Sequence, residues 1–193
     1  MSNPYEIHAA DFIAARSGIG ARAVERWARA HLRPGGQVLD LGCGHGFPVS
    51  WVLSKHEVEV FGIDASPTLV AEFRRRWPGL TVRCEDVLES DLYGRAFDAV
   101  TMIGLVFLFS PADQERLIGR AARALKPGGR LLFTAPVQVH EWDDVLTGQR
   151  LRSLGEARYA ALLRENELRL ADEFTDAGGN HYLDAVDRRR LAS

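Results

Sequence analysis

Asp40, Asp64 and Asp86 each follow or close an apolar, strand-like run, and the first is trailed by Gly42, Gly44 and Gly46 at alternate positions. A carboxylate at a strand end offers two oxygens that accept hydrogen bonds from hydroxyls or an exocyclic amine. Glycines in such a loop let backbone pass close to another group. Asp64 stands 22 residues after Gly42. This pattern describes a nucleoside-containing cofactor lying across the carboxyl ends of adjacent parallel strands, where open α/β sheets bind ligands.

The glycine spacing narrows the cofactor. A dinucleotide site calls for G-x-G-x-x-G, with the pyrophosphate on a helix N-terminus. Here the third glycine comes one residue early, and Phe47 fills the required place. A G-x-x-x-x-G-K-[ST] phosphate cradle is also missing from the chain. The loop therefore suits a ligand that carries a nucleoside and no phosphate.

The stretch Asp40-Leu41-Gly42-Cys43-Gly44-His45-Gly46 resembles the first motif of the class I S-adenosylmethionine (SAM) methyltransferases. Val82-Arg83-Cys84-Glu85-Asp86-Val87 resembles a later motif of that family, Phe97 to Ile103 its fourth strand, and Leu125-Lys126-Pro127-Gly128-Gly129 the turn before its fifth. The resemblance covers about residues 20 to 187. It implies SAM as cofactor, with S-adenosylhomocysteine (SAH) as product. It further implies that Asp64 accepts from both ribose hydroxyls, with Ala65 beside it. Asp86 would accept from the adenine amine while Val87 lies against the ring, and Ile103 would pass near the cofactor. Asp40 would orient the glycine loop or meet the methionine amine. Arg16, beside Ser17-Gly18, is a candidate for the cofactor carboxylate; a solvated arginine is the plainer alternative.

The acceptor is less legible. Methyl transfer from a sulfonium is an in-line displacement that needs orientation and exclusion of water more than a catalytic constellation. Three variable segments should build the acceptor pocket: Tyr5 to Gly18, the apolar Gly104 to Phe109, and a loop from Pro136 to Arg150. That loop holds His140, a candidate general base, and Trp142, a candidate wall. An exposed polar loop is the competing view. An Asn-Pro-Pro-Tyr-like motif is missing after the fourth strand, and neither cysteine lies where a cytosine methylase needs its nucleophile. These features point to a small-molecule acceptor and away from nucleic acid.

Alternating β and α units must position these residues. Strand-like runs at Gln37–Leu41, 58–63, 80–84, 97–103 and 130–135 alternate with helical patterns at 20–32, 48–55, 67–77 and 110–125. Ser66-Pro67 and Ser110-Pro111 are helix-start signals. Beyond a helix at 153–165, runs at 168–174 and 181–186 flank Gly178-Gly179-Asn180, so they should form an antiparallel hairpin. The expected fold is α/β: a doubly wound, mainly parallel seven-stranded sheet with a C-terminal antiparallel β-hairpin and helices on both faces. The expected organisation is one domain over residues 1–193. Residues 1–36 would form an N-terminal lid, 37–135 the cofactor core, and 136–193 the substrate loop, helix and hairpin.

Net charge is −2, and 26% of the residues are charged. That balance gives no general nucleic-acid or membrane surface. Arg74-Arg75-Arg76 and Arg188-Arg189-Arg190 read as solvated clusters. Two cysteines make no disulfide framework and show no metal-ligand spacing. Without a signal-peptide pattern or a long apolar run, a cytoplasmic location is the default. Two rival readings share the cofactor residues: a SAM- or SAH-binding module without turnover, and a nicotinamide-dependent reductase. Phe47 and the terminal hairpin disfavour the second.

Overall fold

The computed structural model describes residues 4–189. Two short helices, α1 (Pro4–Ile7) and α2 (Ala9–Ala15), precede α3 (Ala21–His31). Alternation then follows: β1 (Gln37–Leu41), α4 (Val49–Ser54), β2 (Glu59–Asp64), α5 (Pro67–Arg76), β3 (Thr81–Cys84), β4 (Phe97–Met102), α6 (Pro111–Arg123) and β5 (Leu125–Thr134). The last part holds β6 (Val139–Asp143), β7 (Arg150–Leu154), α7 (Glu156–Glu165), β8 (Leu168–Thr175) and β9 (His181–Asp187). One sheet has the order β3-β2-β1-β4-β5-β9-β8, and β6 pairs with β7 in a separate ribbon. The first five strands of that order pair in parallel, while β9 runs antiparallel to both β5 and β8. This is the sheet expected from the sequence.

Local chemistry explains the helix starts. Ser66 Oγ accepts from Leu69 N at 3.1 Å, and Ser110 Oγ accepts from Asp113 N at 3.2 Å. Each hydroxyl satisfies an amide with no partner inside the helix, and the following proline presets φ. Arg74, Arg75 and Arg76 crowd the last turn of α5, where cations favour the helix dipole. The sheet is apolar on both faces because helices cover both. Leu39, Leu41, Met102 and Phe133 face Leu117 of α6 and Leu163 of α7. Val38, Ala99 and Leu132 face Val24 and Trp27 of α3 and Val52 of α4. Phe133 has no exposed surface, and cutting such a side chain to alanine costs about 3–5 kcal/mol.

Three local expectations need correction. The Lys126–Gly129 turn lies inside β5 as an irregularity: Leu125 pairs with Phe97, and Arg130 already pairs with Ala99. Lys126 Nζ, 2.7 Å from Asp98 Oδ2, holds the excursion down. The stretch from Pro136 to Arg150 is not all loop, because residues 139–143 pair with 150–154. Arg150 spans the ribbon to Glu141 and Asp143, each at 3.1 Å. Helix α7 accordingly begins at Glu156, after Gly155 at φ 81°, and not at Ser153.

The arginine clusters are partnered. Arg75 and Arg76 both pair with Glu72. Arg189 donates to Leu125 O at 2.7 Å and Ala122 O at 3.2 Å, which ties the segment after β9 to the α6–β5 junction. Arg190 lies outside the described residues. Among the described residues, no helix is long and apolar enough to cross a membrane.

Candidate active site

A cavity of about 770 Å³ lies over the C-terminal ends of β2, β1, β4 and β5 and the start of β9. At the β2 end, Asp64 Oδ2 accepts from Gly44 N at 2.8 Å and Oδ1 accepts from Ser66 N at 2.9 Å. Each carboxylate oxygen keeps a lone pair for a ligand hydroxyl. Burial pushes the Asp64 carboxyl up, against those two amide bonds. Asp86 Oδ1 accepts from Leu88 N at 2.8 Å, so its other oxygen is available to the cavity, and Val87 sits beside it. Ala65 and Ile103 also line the space.

The glycine loop closes the floor of this half. Gly42 (φ 68°) and Gly44 (φ 54°) both line the cavity in a conformation that disfavours side chains. A Cβ on Gly42 would come within 2.6 Å of Leu105 Cδ1. Gly46 behaves differently. It does not line the cavity; at φ 86° a Cβ there would meet the Trp77 ring at 2.7 Å. Its glycine is required by packing against α5, and the structure does not bring it to the wall with Gly42 and Gly44.

Asp40 also lies off the cavity wall. Its carboxylate is buried below the loop and absent from the cavity wall. Ser50 Oγ donates to it at 2.6 Å and Thr101 Oγ1 at 2.8 Å. Thr101 stands directly opposite Asp40 in the β1–β4 register. Burial pushes this carboxyl up to about 6, while the two hydroxyls pull the other way. Asp40 thus fastens β1 to α4 and β4, in keeping with the loop-orienting alternative.

His140 is likewise outside the lining. The imidazole is exposed on β6 and outside the cavity lining, with its ring stacked on Trp142 at 5.5 Å between centroids. Trp142 does line the cavity, and its other neighbour is Phe107, with centroids 5.4 Å apart.

Arg16 reaches the cavity from the segment after α2. Its Nε donates to Phe47 O at 3.4 Å, and burial lowers the guanidinium pKa. A desolvated cation on a wall is suited to an anionic ligand group. Two pairs escaped sequence reasoning. Tyr5 donates to Asp144 Oδ2 at 2.9 Å, and His181 Nε2 lies 3.2 Å from Glu173 Oε1. Tyr5, Asp144 and His181 all line the cavity. The one sequence signal was that Tyr5 and Asp144 fall in the two variable segments at the expected rim.

The cavity therefore combines a strand-end carboxylate with spare lone pairs, a second carboxylate beside an apolar floor, a glycine loop without a phosphate cradle, and a wall arginine. Those residues fit a ribose, an adenine and an amino-acid carboxylate. A methyltransferase-domain family profile matches residues 38–129. Trans-aconitate 2-methyltransferase of Methylobacterium nodulans is 32% identical over 142 residues, covering 73% of this chain and 53% of that protein.

The chain belongs to the class I SAM-dependent methyltransferase family.

Another family relative, a ubiquinone biosynthesis O-methyltransferase of Coxiella burnetii, is 30% identical over 159 residues, covering 78% of this chain and 65% of its own. The chain thus spans roughly half to two thirds of the length of these curated methyltransferases. Among solved structures, 1,6-didemethyltoxoflavin-N1-methyltransferase of Burkholderia thailandensis superposes with a TM-score of 0.75 at 20% identity, covering 98% of this chain and 92% of that one. The SAM-bound amino pentose methyltransferase of Micromonospora echinaspora gives 0.71 at 20% identity, covering 96% and 97%. At that identity the superpositions show a common fold.

Proposed function

We propose that this chain is an enzyme that binds SAM and moves its methyl group to a small-molecule acceptor by in-line displacement. The observation that carries the reading is Asp64, fixed by Gly44 N and Ser66 N so that each oxygen still offers a lone pair to the cavity. SAM, when bound, supplies a methyl carbon already activated by a sulfonium. On this reading Asp64 holds the ribose, with Ala65 beside it, and Asp86 and Val87 hold the adenine. Gly42, Gly44 and Ile103 shape the path of the methionine portion, and Arg16 takes its carboxylate. Positioning of this kind can lower a barrier by up to ~7–11 kcal/mol.

The acceptor half supports a small substrate. Phe107, Leu108, Trp142 and Leu146 give the cavity that Tyr5 and Asp144 also line an apolar wall. The relatives named above include an O-methyltransferase and a trans-aconitate methyltransferase. A net charge of −2 argues against a nucleic-acid substrate. The free cysteines Cys43 and Cys84 suit a reducing compartment, so we place the protein in the cytoplasm, working as one domain.

Calorimetric titration with SAH tests the reading beside Asp64→Ala. Micromolar binding by the wild type, lost in the variant, is the expected result. Binding of NADH with no binding of SAH or SAM would overturn it.

A further inference from the structure

The strand order across the top of the sheet divides the cavity. Asp64 ends β2, Gly42 follows β1, Ile103 follows β4, Thr134 ends β5, and His181 begins β9. Neighbouring strands stand about 4.8 Å apart, so His181 sits roughly 10 Å beyond the β4 end, on the side away from Asp64. Two hydrogen bonds tie that row together. Gly104 N donates to Thr134 Oγ1 at 2.8 Å, and Ala135 N donates to His181 O at 3.1 Å. The cofactor residues occupy β2, β1 and β4. The β5–β9 half is left for the acceptor, and Trp142, beside Phe107, lines the same cavity.

Within that half the possible proton acceptors are few. Asp64 and Asp86 belong to the other end. Burial pushes the Cys43 thiol well up, and burial with the bond to Asp144 pushes the Tyr5 phenol up. Asp144 already accepts from Tyr5, Thr147 Oγ1 and Leu146 N. Burial works to raise its carboxyl, yet these bonds prevail and hold it below the usual range, making it a poor base.

His181 remains. Its Nε2 is 3.2 Å from Glu173 Oε1 on β8, and its other ring nitrogen makes no hydrogen bond among the described residues. The turn before it is rigidly built: Asp176 Oδ1 accepts from Gly178 N at 2.8 Å and Asn180 N at 3.0 Å, and Oδ2 accepts from Tyr182 OH at 3.0 Å. An imidazole fixed by a carboxylate on one nitrogen, with the other left open, has the arrangement of a general base.

We propose that His181, positioned by Glu173, is the general base for a hydroxyl on a planar aromatic acceptor lying against Trp142 and Phe107. The proposal rests on the methyl-transfer reading above. The hydroxyl oxygen bonds to the methyl carbon as the carbon–sulfur bond breaks, and that bond's electron pair stays on sulfur. The hydroxyl proton passes to the open nitrogen of His181. A flat ring suits the wall because aromatic faces and edges stack at about 4.5–7 Å. Glu173 is a positioning residue, acting through the imidazole.

The test uses the full chain with labelled SAM and a panel of catechol, caffeate and 4-hydroxybenzoate beside cyclohexanol and benzylamine. Methylation of the phenols is expected. His181→Gln should lower kcat about 10²–10⁴-fold while SAH binding, read by calorimetry, stays within a factor of about three. Glu173→Gln should lower kcat less with KM unchanged, and Glu173→Asp should restore part of the loss, a rescue that simple packing damage does not produce. Undiminished kcat in H181Q, or methylation of benzylamine with every phenol untouched, would overturn the proposal while SAH binding upholds the methyltransferase reading. Failure of the wild type to bind SAH would sink both.

Discussion

Tyr5 and Asp144 are 139 residues apart in sequence and meet at the cavity wall, the phenol donating to Oδ2 at 2.9 Å. The bond joins α1 to the turn of the β6–β7 ribbon. Glu6, next in sequence, accepts from Thr68 Oγ1 at 2.7 Å and also binds Ser66, so the same segment grips the start of α5. The N-terminal residues thus bridge the β6–β7 ribbon and the start of α5. Tyr5→Phe removes one bond worth about 0.5–1.5 kcal/mol. SAH should bind about 2–10-fold more weakly, and amides of residues 9–15 should exchange faster. Unchanged exchange there would show that the bond does not hold the segment.

Arg16 makes a prediction about ligand chemistry. If its guanidinium meets the cofactor carboxylate, Arg16→Ala should weaken SAH by about 10–100-fold, the scale of a lost charge-assisted bond. 5′-Methylthioadenosine has no carboxylate, so its affinity should fall far less. Equal losses for the two ligands, compared by calorimetry, would mean that Arg16 shapes the cavity without binding the carboxylate.

Asp40 should leave a mark on the pH dependence of stability. Its folded-state value of about 6 lies above the ordinary 3.8, so the folded protein holds this proton more tightly than the unfolded chain. The resulting stability is fully present below about pH 4 and is lost as pH rises through about 6. Asp40→Asn, which cannot ionise, should gain on the wild type between pH 4 and 7 by on the order of 2–3 kcal/mol. Parallel denaturant titrations at several pH values give the difference; parallel curves would contradict the assignment.

Gly46 and Gly42 should separate packing from ligand contact. Gly46→Ala combines a left-handed backbone with a Cβ 2.7 Å from Trp77, which should cost about 2–4 kcal/mol of stability. SAH affinity of the folded fraction should stay close to wild type. In Gly42→Ala the clash is with the end of the Leu105 side chain, at the cavity wall. There the loss should appear chiefly in SAH affinity. Thermal unfolding and calorimetry on both variants would show whether the two effects part in this way.

Local features made much of this protein readable from the chain. Apolar runs, paired serine–proline caps and the Gly178–Asn180 turn fixed the strands, the helices and the terminal hairpin, because each depends on neighbours a few residues away. The spacing of Asp64 and Asp86 from the glycine loop brought them to one cavity for the same reason, since strand ends in a parallel sheet fall on one edge. Tertiary packing decided the rest. Gly46 looked like Gly42 and Gly44 until Trp77 was placed against it, and Asp40 could have oriented the loop or met a ligand until Ser50 and Thr101 closed over it. The β6–β7 ribbon is joined by residues 144–149, too long a link for a two-residue turn signature, so it read as loop. His140 seemed chemical by residue type and position, yet lies outside the wall, while His181 read only as a strand residue. Its partner Glu173 comes within reach through the antiparallel register that sets Thr175 against His181, and the cavity side of β9 exists only once that strand pairs with β5.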